Sequence, residues 1–260
     1  MSSSATKFFS LIATSTGANY TSVDKSQFNV LFQEAIRFPR HARNLHLCVD
    51  AAEVWNVFKN VIAPNNKLYI EYKATPYILT IPEGQYTLST LSDAIERLLV
   101  NAGAPSGTLI KLSADLPTQR VEIICGDAGV EIDFTQADTI RELLGFNSAV
   151  LTSTLAGQYF LGDNPAKFNA VNTLLIHSNI VQQGIQVNES FSQTIAQIFI
   201  DVEPGSQILF RPFNPTLISC PHLAGQLLSS ISFRLSDENN VDLATNGEDW
   251  SVRIRISYDL

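Results

Sequence analysis

Apolar and polar residues alternate along much of this chain, with the two-residue period of a half-buried strand. Phe28, Val30 and Phe32, then Ile36 and Phe38, share one side of a run that Pro39 ends. Leu45, Leu47 and Val49 repeat the pattern, Val54 and Val57 extend it, and Pro64-Asn65-Asn66 is a turn signal beyond. These positions predict strands over about 27–38 and 44–58. The end of the chain is clearer still. Trp250, Val252, Ile254, Ile256 and Tyr258 point one way, while Ser251, Arg253, Arg255 and Ser257 point the other. Ile231, Phe233 and Leu235 do the same opposite Ser232, Arg234 and Ser236, so these two strands are expected to pair. Val171–Ser178, Thr194–Asp201, Gln207–Arg211 and Thr216–Cys220 are further candidates, which makes the tail all β.

Between Lys67 and about Pro165 the pattern changes. Leu68, Ile70 and Tyr72 predict one strand, and Tyr77, Leu79 and Ile81 a second that Pro82-Glu83-Gly84 closes. Leu88, Leu91, Ile95, Leu98 and Leu99 then fall at helical spacing, with Thr87 placed to cap the helix and Gly103 to end it. Tyr86 and Leu91 stand at the positions of a hydrophobic staple. Three strands follow, near Thr108–Ala114, Val121–Cys125 and Val130–Phe134, the last two joined by a tight Gly126-Asp127-Ala128-Gly129 turn. A short helix closes the unit, capped by Thr135, faced by Ile140, Leu143 and Leu144, and stopped by Gly145. The order is ββαβββα, and the Gly- and Asn-rich stretch from Gly157 to Pro165 reads as a loop leading out.

Residues 1–26 are rich in Ser, Thr and Ala, and fit neither period. They read as an N-terminal arm that a neighbour orders, with Phe8, Phe9, Leu11 and Ile12 as the residues to anchor in a partner's groove. The fold class that results is mainly β: an eight-stranded jelly-roll sandwich with a small α/β unit inserted after its second strand. Residues 27–66 and 166–260 make the sandwich, and residues 67–165 make the insert. A more sheet-rich middle region would instead give a double jelly roll.

Composition narrows the function. The 260 residues carry 17 Lys and Arg against 25 Asp and Glu, and only 16% are charged although 45% are hydrophobic. A surface so short of charge suits a subunit covered by partners, and an acidic chain is a poor dedicated DNA-binding protein. The one basic cluster is Arg37, Arg40, His41 and Arg43, a candidate face toward nucleic acid or a neighbouring subunit. The apolar run at Phe8–Ala13 is too short for a membrane span.

Catalytic signatures are missing: there is no GxSxG, HExxH, GxxxxGK[ST] or GxGxxG. No catalytic residue, cofactor or metal ligand is assigned, and the protein is not expected to be an enzyme. The His46/Cys48 and Cys220/His222 pairs lack a further ligand, and Cys48, Cys125 and Cys220 read as buried small hydrophobes. The Asp237, Glu238 and Asp242 loop lacks the glycine and spacing of an EF-hand and reads as a solvated hairpin tip. Asn19-Tyr20-Thr21 and Asn188-Glu189-Ser190 match the glycosylation triplet, which matters only in a secreted chain.

Four segments in order point to a family. Leu79 to Leu88, running into Leu91, Ala94 and Ile95, resembles the strand, Pro-x-Gly-x-Tyr-Thr, helix segment of minor capsid (penton) proteins from virophages and Polinton-like viruses. Phe134 to Phe146, with its Leu144-Gly145-Phe146 ending, resembles their short helix. Leu175 to Val181 and Trp250 to Tyr258 resemble the strand that follows and the closing strand, so the likeness spans roughly residues 65–260. The resemblance implies a virion protein, assembled inside the host cell, that forms homopentamers at the vertices of a tailless icosahedral double-stranded DNA virus. Its partners would be its own copies and a separate major capsid protein, with a weak contact to encapsidated DNA. A major capsid protein or vertex spike is the alternative role. A glycan- or receptor-binding jelly roll, with Trp55, Tyr159 and Phe160 as aromatic platforms, is a further one, and a cupin-type metal oxygenase is the enzyme reading against which these are set.

Overall fold

The computed structural model describes residues 6–16, 19–20, 25–105, 109–169, 171–187 and 190–260. In chain order the strands are β1 (Thr6–Thr14), β2 (Asn19–Tyr20), β3 (Gln27–Arg37), β4 (Arg43–Trp55), β5 (Lys67–Tyr72) and β6 (Thr75–Thr80). Helix α1 (Leu88–Asn101) precedes β7 (Ile110–Asp115), β8 (Arg120–Cys125) and β9 (Val130–Asp133), and helix α2 (Arg141–Leu144) precedes β10 (Val150–Thr152) and β11 (Tyr159–Leu161). Then come β12 (Thr173–Ser178), β13 (Gln186–Val187), β14 (Ser190–Phe191), β15 (Thr194–Phe199), β16 (Gln207–Phe210), β17 (Ile218–Ser219), β18 (Leu227–Ser236) and β19 (Ser251–Asp259). They form two compact units, one of Met1–Phe58 with Val171–Leu260, the other of Lys59–Ala170.

The first unit is a sandwich of two antiparallel sheets. One has the order β1-β19-β4-β16, with β17 also on β4, and the other the order β15-β12-β18-β3-β2. Alternation explains the core. Val252, Ile254 and Ile256 of β19 and Ile231, Phe233 and Leu235 of β18 are all buried, each side chain of this kind contributing about 1.5–3 kcal/mol on burial. β18 and β19 do not pair with each other as expected: they lie in different sheets, and their apolar sides meet in one core. Trp250 fixes one end of that core. Its ring packs edge-on against Phe28 at 4.8 Å, and its indole N–H donates to the Lys25 carbonyl.

Three further expectations change here. Residues 6–14 are not an arm but a strand, paired antiparallel along their whole length with β19 from Thr6↔Asp259 to Thr14↔Ser251. Phe9, Leu11 and Ala13 turn into the core, where Phe9 meets Phe32 of β3 edge-to-face at 6.4 Å. Phe8 and Ile12 stay outside, so apolar residues occupy both faces and no two-residue period shows in the sequence. The first of the sandwich strands is therefore β1, and the second unit follows the third of them. The expected Thr216–Cys220 strand shrinks to β17, since Pro215 and Pro221 bound it.

The second unit has its own core. Sheets β10-β9-β5-β6 and β11-β8-β7 share it with α1, whose Leu91, Ala94, Ile95 and Leu99 are buried. Thr87 caps α1 as its spacing predicts: its side chain accepts from the Thr90 N–H while the Thr90 hydroxyl accepts from the Thr87 N–H. Thr135 does not cap α2. It donates instead to Asp133, and the helix starts at Arg141 without a side-chain cap. β8 and β9 are joined by the expected turn but belong to different sheets; the stretch read as a loop supplies β11, which pairs with β8, and β10, just before it, pairs with β9.

Gly145 ends α2 at φ +79°, where a Cβ would lie 2.2 Å from the Asn164 carbonyl oxygen. Gly103, after α1, has φ +78° with nothing within 4 Å. Gly145→Ala is therefore expected to cost about 3 kcal/mol or more, from the left-handed backbone and the clash together, and Gly103→Ala only about 1–2 kcal/mol. Urea unfolding followed by circular dichroism checks this, and equal losses would contradict it.

Candidate assembly interface

The sandwich has two flanks, and each exposes apolar side chains. On one, β1 is the outer strand of its sheet and faces β3, which the two-residue β2 covers only at Phe28 and Asn29. Among the described residues β1 pairs only with β19, which leaves its other edge without a partner strand there, and it carries a single charge, Lys7, and no proline to blunt that edge. Phe8 is 71% and Ile12 66% exposed there, and Leu31 of β3 is exposed beside them. The four residues expected to anchor in a partner thus divide by strand alternation: Phe9 and Leu11 belong to the core, Phe8 and Ile12 to the surface.

The opposite flank is made by β15 and β16. Phe199 is 68% exposed, Leu209 and Leu217 are exposed, and Phe213 is 97% exposed. A cleft of about 270 Å³ opens between the sheets here, lined by Val49, Ile195, Phe210 and Pro212. Phe213 stands between Pro212 and Pro215, whose fixed φ angles restrict the loop and hold the ring out at little entropic cost. The exposed Phe199, Leu209, Phe213 and Leu217 carry no surface role in the sequence pattern. The available signal was a phenylalanine framed by prolines, outside any alternating run.

Charge follows the strand axis. At one end the register sets Lys7 beside Tyr258 and Arg43 opposite Asp259, and the 38–42 turn carries Arg40 and His41 next to Arg37. Lys7, Arg37, Arg40 and Arg43 are exposed and make no ion pair among the described residues. Asp259 is held below the usual carboxylate range, first by the Asn44 amide and then by the Thr6 hydroxyl, both of which donate to it. At the other end lie Asp237, Glu238, Asp242, Glu248 and Asp249, with Asp201 and Glu203 on the neighbouring loop. The cations there are paired, Lys25 with Asp249 and Arg234 with Asp242, both at 2.7 Å. Asp237 closes its own turn, accepting from the Asn239 and Val241 N–H groups.

Among the described residues no three His, Cys, Asp or Glu side chains gather as a metal site, and no helix is long and apolar enough to cross a membrane. His222 bonds the Ile180 carbonyl, His46 that of Asn44, and all three cysteines are free and buried, burial raising the Cys220 thiol to about 11. Trp55 ends β4 in the first unit, whereas Tyr159 and Phe160 lie on β11 in the second. Asn19 sits in β2, and Asn188 lies outside the described residues.

His177 on β12 is a buried ionisable group with polar partners on both ring nitrogens. Ser236 Oγ donates to the Asp237 carbonyl at 3.1 Å, so it can only accept from His177 Nε2 at 2.7 Å. Nδ1 lies 3.1 Å from the Thr194 hydroxyl, which is also bonded to Ser192 Oγ. Both ring nitrogens thus lie within hydrogen-bond distance of a hydroxyl. Burial first, and the Arg234 charge second, lower its pKa to about 4, against the opposing effect of Asp242.

No family model matches the chain, and no curated protein does. Among solved structures, the mavirus penton protein is similar at 11% identity, over 98% of this chain and 100% of that one, with a TM-score of 0.47. A chain of the Sputnik virophage, from its cryo-electron-microscopy structure, is similar at 13% identity over 96% of this chain and 97% of that one, with a TM-score of 0.43.

His177 makes stability depend on pH. The unfolded imidazole takes up a proton near 6.5, but the folded one resists until about 4. Its contribution is complete above pH 6.5 and is lost as pH falls toward 4, by about 3 kcal/mol. The melting temperature is expected to fall between pH 7 and 4.5, and His177→Gln to flatten that fall. Parallel pH profiles for the two proteins would rule it out.

Proposed function

We propose that the protein is a capsid structural subunit, a penton that closes into a ring through its two flanks. The observation that carries this reading is the pair of unlike apolar flanks on opposite edges of one sandwich. A patch that meets a copy of itself closes a twofold dimer, whereas two different patches on opposite sides join copies head to tail, into a ring where the rotation between copies closes and a filament where it does not. The shortage of charge agrees with it, since the flanks are the surface that such a ring would cover.

The strand order supports a jelly roll. Taking β1, β3, β4, β12, β15, β16, β18 and β19 as eight successive strands, the sheets read first-eighth-third-sixth and second-seventh-fourth-fifth, the order of two interleaved Greek keys. In this reading the unit of Lys59–Ala170 is an insert after the third strand. The segments that resemble virophage and Polinton-like pentons fall on elements of both units: the Pro82-Glu83-Gly84 turn before the capped α1 and the Gly145 stop after α2 in the insert, and β12 and β19 in the sandwich. Within a virion the ring would meet a separate major capsid protein, and the chain would act by shape and contact, without catalysis.

Electron microscopy of the purified protein tests this. Fivefold rings are expected; threefold rings would favour the major capsid role, and monomers at high concentration would overturn both. Phe213→Asp is expected to dissociate the rings, weakening each contact at least about 30-fold, as loss of a central aromatic anchor does. The melting temperature should stay unchanged, because that side chain touches solvent in the subunit.

A further inference from the structure

We propose that the pole formed by Lys7, Arg37, Arg40 and Arg43 binds the phosphate backbone of nucleic acid enclosed by the shell. The inference rests on the capsid reading, but on a separate observation, the segregation of charge along the strands. The chain as a whole is acidic, with a net charge of −8, so its long-range field repels a polyanion. Yet these four cations converge where β1 begins, β3 ends and β4 begins, and among the described residues no carboxylate pairs with them. The nearest acid by register, Asp259, is occupied by the Asn44 and Thr6 donors. At the opposite pole the reverse holds: carboxylates are in excess, and Lys25 and Arg234 are already ion-paired with them.

Three of the four pole cations are arginines, whose planar guanidinium binds phosphate oxygens two at a time. The turn that carries Arg40 is held in place. The Gly225 N–H donates to the Phe38 carbonyl, Phe38 packs edge-on against Tyr258 at 6.0 Å, and Arg40 lies against Gly225. The cations stand on strand ends and a turn and reach phosphate oxygens, so the contact would be to the backbone and independent of sequence. Subunit copies make it effective. A ring closed through the flanks, with its axis along the strands, sets every basic pole on one face and every acidic pole on the other, and linked weak contacts multiply. The overall negative charge then becomes an orienting device, since only one face of the ring is attracted to nucleic acid.

The test uses the full chain and a fluorescent duplex DNA of random sequence. Binding is expected at about 50 mM salt, weakening steeply as salt rises, because each neutralised phosphate contributes a slope of about −0.9 in log K against log salt. Arg37→Gln/Arg40→Gln/Arg43→Gln is expected to weaken binding at least tenfold and reduce that slope by about 2–3. The matched triple Arg97→Gln/Arg211→Gln/Arg253→Gln, which removes the same charge from exposed arginines that are not among the four, should bind as the parent does. Equal losses in the two triples, no loss in the first, or capture by anionic phospholipid vesicles but not by DNA would overturn the assignment. Microscopy of the same samples separates the two readings: rings that fail to bind DNA refute only the pole, and the absence of rings refutes the capsid reading itself.

Discussion

The first unit depends on one strand having two neighbours from distant parts of the chain. β19 pairs with β1 on one side and with β4 on the other. The Thr6 hydroxyl reaches Asp259 across 253 positions of sequence. Without β19 the sheet falls into a lone β1 and a β4-β16 pair, and Trp250 loses its place against Phe28 and the Lys25 carbonyl. Such pairing makes folding slow, because the ends must meet before their contacts stabilise anything. It also makes the connection between β4 and β12 permissive. Closure entropy grows only with the logarithm of loop length, so a unit of Lys59–Ala170 with its own core costs little to accommodate there.

How much of this was legible in the sequence follows from which residues alternate. β18, β19 and α1 are long, one-faced and bounded by turn or cap residues, and their positions could be read within a residue or two. β1 was hidden because Phe8-Phe9-Ser10-Leu11-Ile12 is apolar on both faces, one face serving the core and the other the surface. β10 and β11 are three residues each, too short for a period to show. Pairing was less legible than position. Nothing in the alternation of β18 and β19 says whether their apolar sides meet across a core or lie side by side in one sheet, and the structure chooses the former. The arginines of the basic cluster were visible as neighbours in sequence, while Lys7 joins them only through the register of β1.

The flanks and poles follow from the same arrangement. Charges gather at the strand ends, where turns put them in water and where Asp237, Asp242 and Asp259 also satisfy backbone or side-chain donors. The strand edges stay apolar. An exposed aromatic beside an open edge is a hazard for a protein meant to stay single, and natural sheets usually blunt such edges with lysine or proline. Here prolines flank Phe213 and hold it outward, the opposite use of the same residue.

β1 links this surface to the fold. Phe9 and Leu11 bind it into the core, and that binding is what presents Phe8 and Ile12 in order on the outside. One flank therefore comes into being only when the two ends of the chain have met. A subunit that has not finished folding lacks it and has nothing complete to offer a neighbour, which places folding before assembly.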